Sequence, residues 1–225
     1  RQNTLEPHTA FGQSRQMKPA PLYPGRVAVL PPQLFGSVAY YALMARYGAA
    51  YVDNELRYDK RFKSVHRFDI ASTRGRISMT VPVSRPEGAT RWCDVKVSAH
   101  GRWWETMPDT LVTAYGRSPF FEFYIDRLMP VFSEPTGQSI TELCDMADSI
   151  VRSTLGICSR TQEAPADDCA DSFLRKCFEE YAPSSQYWQV RGQELGFIPG
   201  LSILDLLFNL GPEAAIFLTK NRLAE

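Results

Sequence analysis

Polar residues and prolines fill positions 1–25, and the first apolar run comes only at Val27-Ala28-Val29-Leu30. The opening stretch can bury little surface and is expected to form a flexible arm, followed by one folded domain over 26–220. The apolar run predicts a buried strand, ended by Pro31-Pro32. Over 36–47 the spacing of Val38, Tyr41, Ala42 and Ala45, with Met44 beside them, predicts a helix that Gly48 stops. Ala49-Ala50-Tyr51-Val52 predicts the next strand. A β-α-β unit of this kind runs its strands parallel through a right-handed crossover and gathers ligands at their carboxyl ends. Here those ends carry Pro31-Pro32-Gln33-Leu34-Phe35 and Asp53-Asn54-Glu55.

Further on, residues 76–83 alternate, with Ile77, Met79, Val81 and Val83 on one face, and 93–97 alternate again. Both read as half-exposed strands, expected to be antiparallel neighbours. Helical spacing then takes over. Met107, Leu111 and Tyr115 share a stripe over 103–115, and Ser118-Pro119 should open a helix carrying Phe121, Tyr124, Ile125, Leu128 and Phe132. Ser139 and Glu142 form a capping box ahead of a stripe running from Ile140 to Leu155, ended by Gly156. Residues 159–171 are polar and acidic and predict a surface loop. Phe173, Leu174, Cys177, Phe178 and Tyr181 fit one further helix. The sum is an α/β single domain: a small mixed sheet begun by a β-α-β unit, and a largely helical C-terminal half.

The last strong pattern is 196–212. Glycine and proline breaks bracket a short, very apolar helix with Ser202 as its cap, Asp205 in its first turn and Gly211-Pro212 at its end. Asp205 and Asn209 are four residues apart and share a face. Polar groups on such a helix need partners. They either tie down a neighbouring loop or reach into a site.

Composition narrows the classes. Hydrophobic residues make up 44% of the 225, enough for a sizeable core, and 25 basic residues balance 25 acidic ones. A nucleic-acid binder would show a basic excess. No apolar run is long enough to span a bilayer, and the N-terminus has no apolar signal-peptide core. Five widely spaced cysteines without a C-x-x-C pair, and three histidines, argue against a disulfide framework or a metal site. They point to reduced thiols and a cytoplasmic protein. Neither G-x-G-x-x-G nor a P-loop is present, so no cofactor is indicated.

The one dense basic cluster is 57–67. Its lysines and arginines would suit an anionic group such as the diphosphate of a sugar nucleotide, or they form an ordinary solvated face. His66 could move a proton near neutrality or act as a neutral hydrogen-bonding group. Trp103 is either core or an aromatic shelf for a sugar ring, and Arg117, in a turn, could point at a ligand.

Several of these segments together resemble the WbqC-like protein family. Phe197-Ile198-Pro199-Gly200-Leu201-Ser202-Ile203-Leu204-Asp205-Leu206-Leu207-Phe208-Asn209 is similar to its C-terminal signature. The 31–40 loop keeps the family's Pro32, Phe35 and Tyr40, but has Pro31 for a leading glutamine, Gly36 for a second proline and Ala39 for a glycine. Gln33 would have to stand in for the missing glutamine. Tyr58, Lys60-Arg61 and His66-Arg67 follow the family's order, with histidine replacing asparagine. Thr80-Val81-Pro82-Val83 and 115–121 agree as well, so the likeness covers about residues 27–218. It implies a role in bacterial surface-polysaccharide (O-antigen and capsule) biosynthesis. The expected activity is transferase-type, on a small-molecule substrate such as a nucleotide sugar. The competing expectation is a non-catalytic binding or assembly subunit. In the enzyme scheme His66 and Asp205 are the catalytic candidates, and Pro32, Gln33, Tyr40, Asp53, Tyr58, Lys60, Arg61, Arg67, Arg117 and Asn209 the ligand-binding ones.

Overall fold

The computed structural model describes residues 20–176 and 178–220; most of the expected N-terminal arm and Cys177 lie outside them. Strand β1 (Tyr23–Leu30), helix α1 (Val38–Met44) and strand β2 (Tyr47–Val52) form the expected β-α-β unit. β1 and β2 pair in parallel, Leu30 opposite Val52. The helix is shorter than its pattern suggested. It gives way after Met44, and Gly48, the expected stop, lies inside β2. Strand pairing from Tyr47 overrides the glycine there. The Tyr47 hydroxyl donates to Asp171 (2.9 Å), and its ring meets Tyr23 and Phe173. All seven residues of α1 are buried.

Helices α2 (Trp103–Tyr115), α3 (Phe121–Leu128) and α4 (Ile140–Leu155) follow the second-half pattern. The capping box of α4 forms as read: Glu142 N–H donates to the Ser139 hydroxyl (3.2 Å), and Ser139 N–H donates to the Glu142 carboxylate (2.7 Å). α3 starts later than expected. Ser118 shapes a turn, its N–H donating to Tyr115 O, and does not cap the helix.

Two expectations fail in the 159–181 region. The polar loop contains β7 (Ser159–Arg160) and β8 (Ala170–Ser172), which complete a four-stranded, all-parallel sheet of order β7-β2-β1-β8. Two- and three-residue strands at sheet edges need no apolar run, because their outer faces meet water. They are held instead by polar contacts, the Arg26–Asp171 ion pair above all. The expected helix after them is one 3-10 turn, Phe178–Tyr181. Buried Phe173 and the edge of Tyr181 pack against one another there.

The antiparallel strands make ribbons of their own. An unexpected strand β3 (Arg67–Ser72) pairs with β4 (Gly75–Thr80), while β5 (Val83–Ser84) pairs with β6 (Lys96–Val97). Thus the 76–83 and 93–97 segments are antiparallel neighbours only at their Val83 and Val97 ends. Inside, Asp148 of α4 joins three elements. It accepts from the Tyr41 hydroxyl (3.0 Å) and pairs with Arg152 (3.0 Å) and Arg160 (3.6 Å). No described helix is long and apolar enough to cross a membrane.

The chain ends with a four-residue α5 (Gly192–Leu195), then α6 (Ile203–Leu210) and α7 (Glu213–Lys220). α6 is the expected apolar helix, buried from Ile203 to Asn209. Asp205, 1% exposed, accepts from the Tyr115 hydroxyl (2.8 Å), the Tyr187 hydroxyl (2.6 Å) and the Gln189 amide (3.0 Å). Burial raises its pKa above the usual carboxylate range, and these donors pull it back down. Asn209, 3% exposed, accepts from Val190 N–H (3.0 Å) and donates to Asp205 O (2.8 Å). Of the two readings of this pair, the loop tether matches the contacts.

Asp205→Asn replaces a two-oxygen acceptor by one oxygen and an amide that cannot receive these donors. Each stranded donor costs roughly 1–3 kcal/mol, so the variant should lose at least about 2 kcal/mol in urea unfolding, and Tyr187→Phe about 1 kcal/mol. An Asp205→Asn midpoint equal to wild type would remove the tether from the account of stability.

Candidate functional site

The carboxyl end of β1 runs into a buried loop, Pro31-Pro32-Gln33-Leu34-Phe35-Gly36. Two prolines end the strand because neither can donate to a ladder. Leu34 N–H donates to Ser64 O (3.0 Å), which fixes the loop to a 3-10 turn, Lys63–Val65. Opposite, the chain entering α6 is stitched to the same loop. The Ser202 hydroxyl donates to Phe35 O (2.8 Å), Ile203 N–H to Gly36 O (2.8 Å), and Val38 N–H to Leu201 O (3.0 Å). Ser202 N–H reaches Asp69 O of β3 (2.8 Å). Between these segments lies a cleft of about 300 Å³, lined by residues 33–37, Lys63, Ser64, Arg67, Phe68, Asp69, Phe178, Glu179, Gly200 and Ser202.

Its loop wall is closely shaped. Phe35 has φ +44°, a left-handed backbone that costs a non-glycine residue about 1–3 kcal/mol. Its ring is held between Phe68 (5.1 Å, edge-on) and Phe132 (5.8 Å, stacked). At Gly36 a Cβ would lie 2.8 Å from the Tyr40 ring and 2.9 Å from Gln33 Oε1, so only glycine leaves the Gln33 amide this place. Gln33 is only 9% exposed, lines the cleft, and its amide has no hydrogen-bond partner among the described residues. The amide opens onto the cleft, where a ligand or water can meet it.

Charge is arranged around this amide. Arg67 uses Nε on the Thr80 hydroxyl (3.0 Å), which leaves its terminal nitrogens without a protein partner among the described residues. Lys63 makes no ion pair among them. Asp69 is engaged, accepting from Arg76 (3.1 Å) and the Ser78 hydroxyl (2.6 Å). Arg76 also bonds Gly200 O (3.3 Å) and Pro199 O, holding the loop ahead of α6. The Glu179 carboxylate lies against Gly200 and forms no ion pair among the described residues.

Of the twelve residues singled out in the sequence, the cleft brings together Gln33 and Arg67. Pro32 is buried behind it, and Tyr40 supports the wall: its hydroxyl donates to Pro31 O (3.0 Å) and its ring meets Phe178 edge-on at 5.1 Å. Lys60 is exposed away from the cleft. Arg61 is 83% exposed and clamped to Asp59 (2.6 Å), whose carboxyl it holds well below the usual range. Asp53 accepts from Glu55 N–H (3.1 Å), Arg117 is exposed in the α2–α3 turn, and Asp205 and Asn209 are in the buried tether. Tyr58 lies between Arg85 (4.6 Å) and Trp92 (4.7 Å). Trp103 is core, donating to Ser98 O (2.9 Å). Lys63, Asp69 and Glu179 went unselected. Lys63 belongs to the 57–67 basic cluster, four positions from Arg67; Glu179 carries no signal in the sequence.

His66 adjoins Arg67 but faces elsewhere. Its Nδ1 is 3.1 Å from Val81 O, and its ring sits 6.3 Å from Trp92. A carbonyl only accepts, so Nδ1 carries the proton and Nε2 the lone pair. Burial lowers the pKa below 6.5. The Val81 bond opposes this, and Arg67 and Lys63 add to the lowering. Cys144 is buried, its thiol donating to Val65 O (3.0 Å) and its pKa pushed far up by burial, which does not suit a nucleophile.

The chain belongs to the WbqC-like protein family, whose profile matches residues 32–171 and 169–216. No curated protein matches it. No solved structure matches it either. The matched span contains every residue that lines the cleft.

The lowered pKa of His66 has a definite sign. The folded chain takes up this proton less readily than the unfolded one, so the stability it contributes is full above about 6.5 and is lost as pH falls through the folded value. Between about pH 7 and pH 5, wild type should therefore lose melting temperature faster than His66→Asn. Parallel curves would mean that His66 titrates alike in both states.

Proposed function

We propose that the cleft at the end of β1 is a small-molecule site, and that the chain is a cytoplasmic, transferase-type enzyme acting on an activated sugar in bacterial surface-polysaccharide biosynthesis. Family membership motivates the pathway. The observation that carries the site is the Gln33 amide, unpaired among the described residues and open to the cleft, beside two cations, Arg67 and Lys63, that no protein carboxylate neutralises among them. In this reading Arg67 and Lys63 hold a phosphate, Arg67 through its terminal nitrogens as a fork and Lys63 as a point charge. Gln33 offers one donor pair and one acceptor to a sugar hydroxyl or carbonyl. His66 adjoins Arg67 in sequence but does not line the cleft, and Asp205 and Asn209 act by holding the α6 side of the cleft in place.

A second reading has its own support. The His66 ring is turned to Val81 and Trp92, and Asp69 is occupied by Arg76 and Ser78. A cleft with so few free proton-transfer groups suits a binding or assembly subunit of the same pathway. Both readings require the ligand.

Thermal unfolding with glucose 1-phosphate, UDP-glucose and UDP-N-acetylglucosamine, for wild type and a Lys63→Met/Arg67→Met variant, tests the site. Ligand at a hundred times its Kd adds about 2.7 kcal/mol, or about 5–10 °C for a domain this size. The expected result is a shift in wild type that vanishes in the variant. No shift with any of the three, or an equal shift in both proteins, overturns the site. Sugar transfer or hydrolysis by the protein that responds would separate enzyme from binding subunit.

A further inference from the structure

The cleft carries charge of both signs, and neither sign is spent on the other. Lys63 and Arg67 enter from the 3-10 turn and the start of β3; Glu179 enters from the 3-10 turn that packs on α1. Lys63 and Glu179 are exposed and Arg67 half-buried around a space of about 300 Å³. No ion pair among the described residues uses any of the three. Asp69, the other lining acid, already accepts one donor on each oxygen, from Arg76 and the Ser78 hydroxyl. Glu179, exposed, reaches the cleft beside Gly200. Gly200 has φ +68°, and a Cβ there would meet the Glu179 oxygens at 3.2 and 3.4 Å and the Arg76 guanidinium at 3.5 Å. The carboxylate thus lies directly on a glycine whose missing side chain makes room for it.

We infer that the ligand of this cleft is a zwitterion, an amino sugar carrying a phosphate, with the phosphate at Lys63 and Arg67 and the ammonium at Glu179. The inference rests on the reading of the cleft as a sugar-phosphate site and adds the amino group to it. Size agrees. About 300 Å³ is at the lower end of ligand pockets, enough for one phosphorylated monosaccharide and too little to enclose a nucleoside as well. A nucleotide-linked form would leave its base outside. The Phe178 and Phe68 rings provide an apolar surface for the face of the sugar ring, and the Gln33 amide serves a ring hydroxyl.

Calorimetric titration of the full chain with three probes separates the claims: glucosamine 1-phosphate, glucose 1-phosphate and N-acetylglucosamine 1-phosphate, the last two lacking the ammonium. Wild type should bind the first about tenfold to a hundredfold more tightly, as expected for one charge-assisted hydrogen bond. Glu179→Gln should erase that preference. Lys63→Met/Arg67→Met should weaken all three. Equal affinity for the three probes in wild type, or a Glu179→Gln variant that keeps the preference, overturns the zwitterion and leaves the phosphate site standing. Failure of all three to bind overturns both.

Discussion

A carboxylate in the middle of an apolar helix is the constraint to which much of this structure answers. Asp205 has lost nearly all contact with water, and an ion so placed is tolerable only if protein donors replace its hydration. They come from far apart: Tyr115 at the end of α2, Tyr187 and Gln189 from the segment before α5. Tyr115 in turn accepts from Ala71 N–H of β3 (3.1 Å), and Gln189 clasps both the N–H and the carbonyl of Ile198 (2.9 Å each). One charge thereby sets the positions of a helix, a strand and two loops. The Ile198 clasp leads straight into Pro199-Gly200, so the cost of burying Asp205 is offset by contacts that also shape one wall of the cleft.

The cleft itself lies at a seam. Backbone bonds from Ser202, Ile203 and Val38 close the join between the β1–α1 loop and the start of α6, and they use up the polar groups that a ligand could otherwise meet. What remains open is side chain: the amide of Gln33, the cations Lys63 and Arg67, the carboxylate of Glu179. Recognition in such a site depends on a few projecting groups over a rigid frame, which is the arrangement that gives specificity at low entropic cost.

Local patterns made much of the frame legible. The β-α-β start, the capped α4 and the apolar α6 follow from apolar spacing and capping chemistry that act within a few residues. β7 and β8 were illegible for the opposite reason. Each is two or three residues long, polar, and extended only because Ala50 and Val27 lie beside it after folding. Gly48 misled because a glycine signals a helix end only when nothing stronger, here the pairing of Tyr47, claims the backbone first. At the site, Gln33 and Arg67 were legible through their place after a strand end and in a basic cluster. Glu179 was not, since nothing nearby in sequence marks a residue that lines the cleft beside Gly200, twenty-one positions on. Lys60 and Arg61 stood in the same cluster as Lys63. A tight local pair with Asp59 turned Arg61 outward, a choice that charge counting cannot see.

The late arrival of β8 bears on how the chain can assemble. Arg26 and Asp171, which clamp the sheet, are 145 positions apart. On a ribosome the β-α-β unit emerges first with both of its strand edges bare, and it must wait for most of the domain before β7 and β8 cover them. Contacts of such long range are slow to form, and the waiting edges are the places where two nascent copies can pair with each other instead. β7 and β8, short and largely polar, close those edges without the apolar pattern that would have announced them.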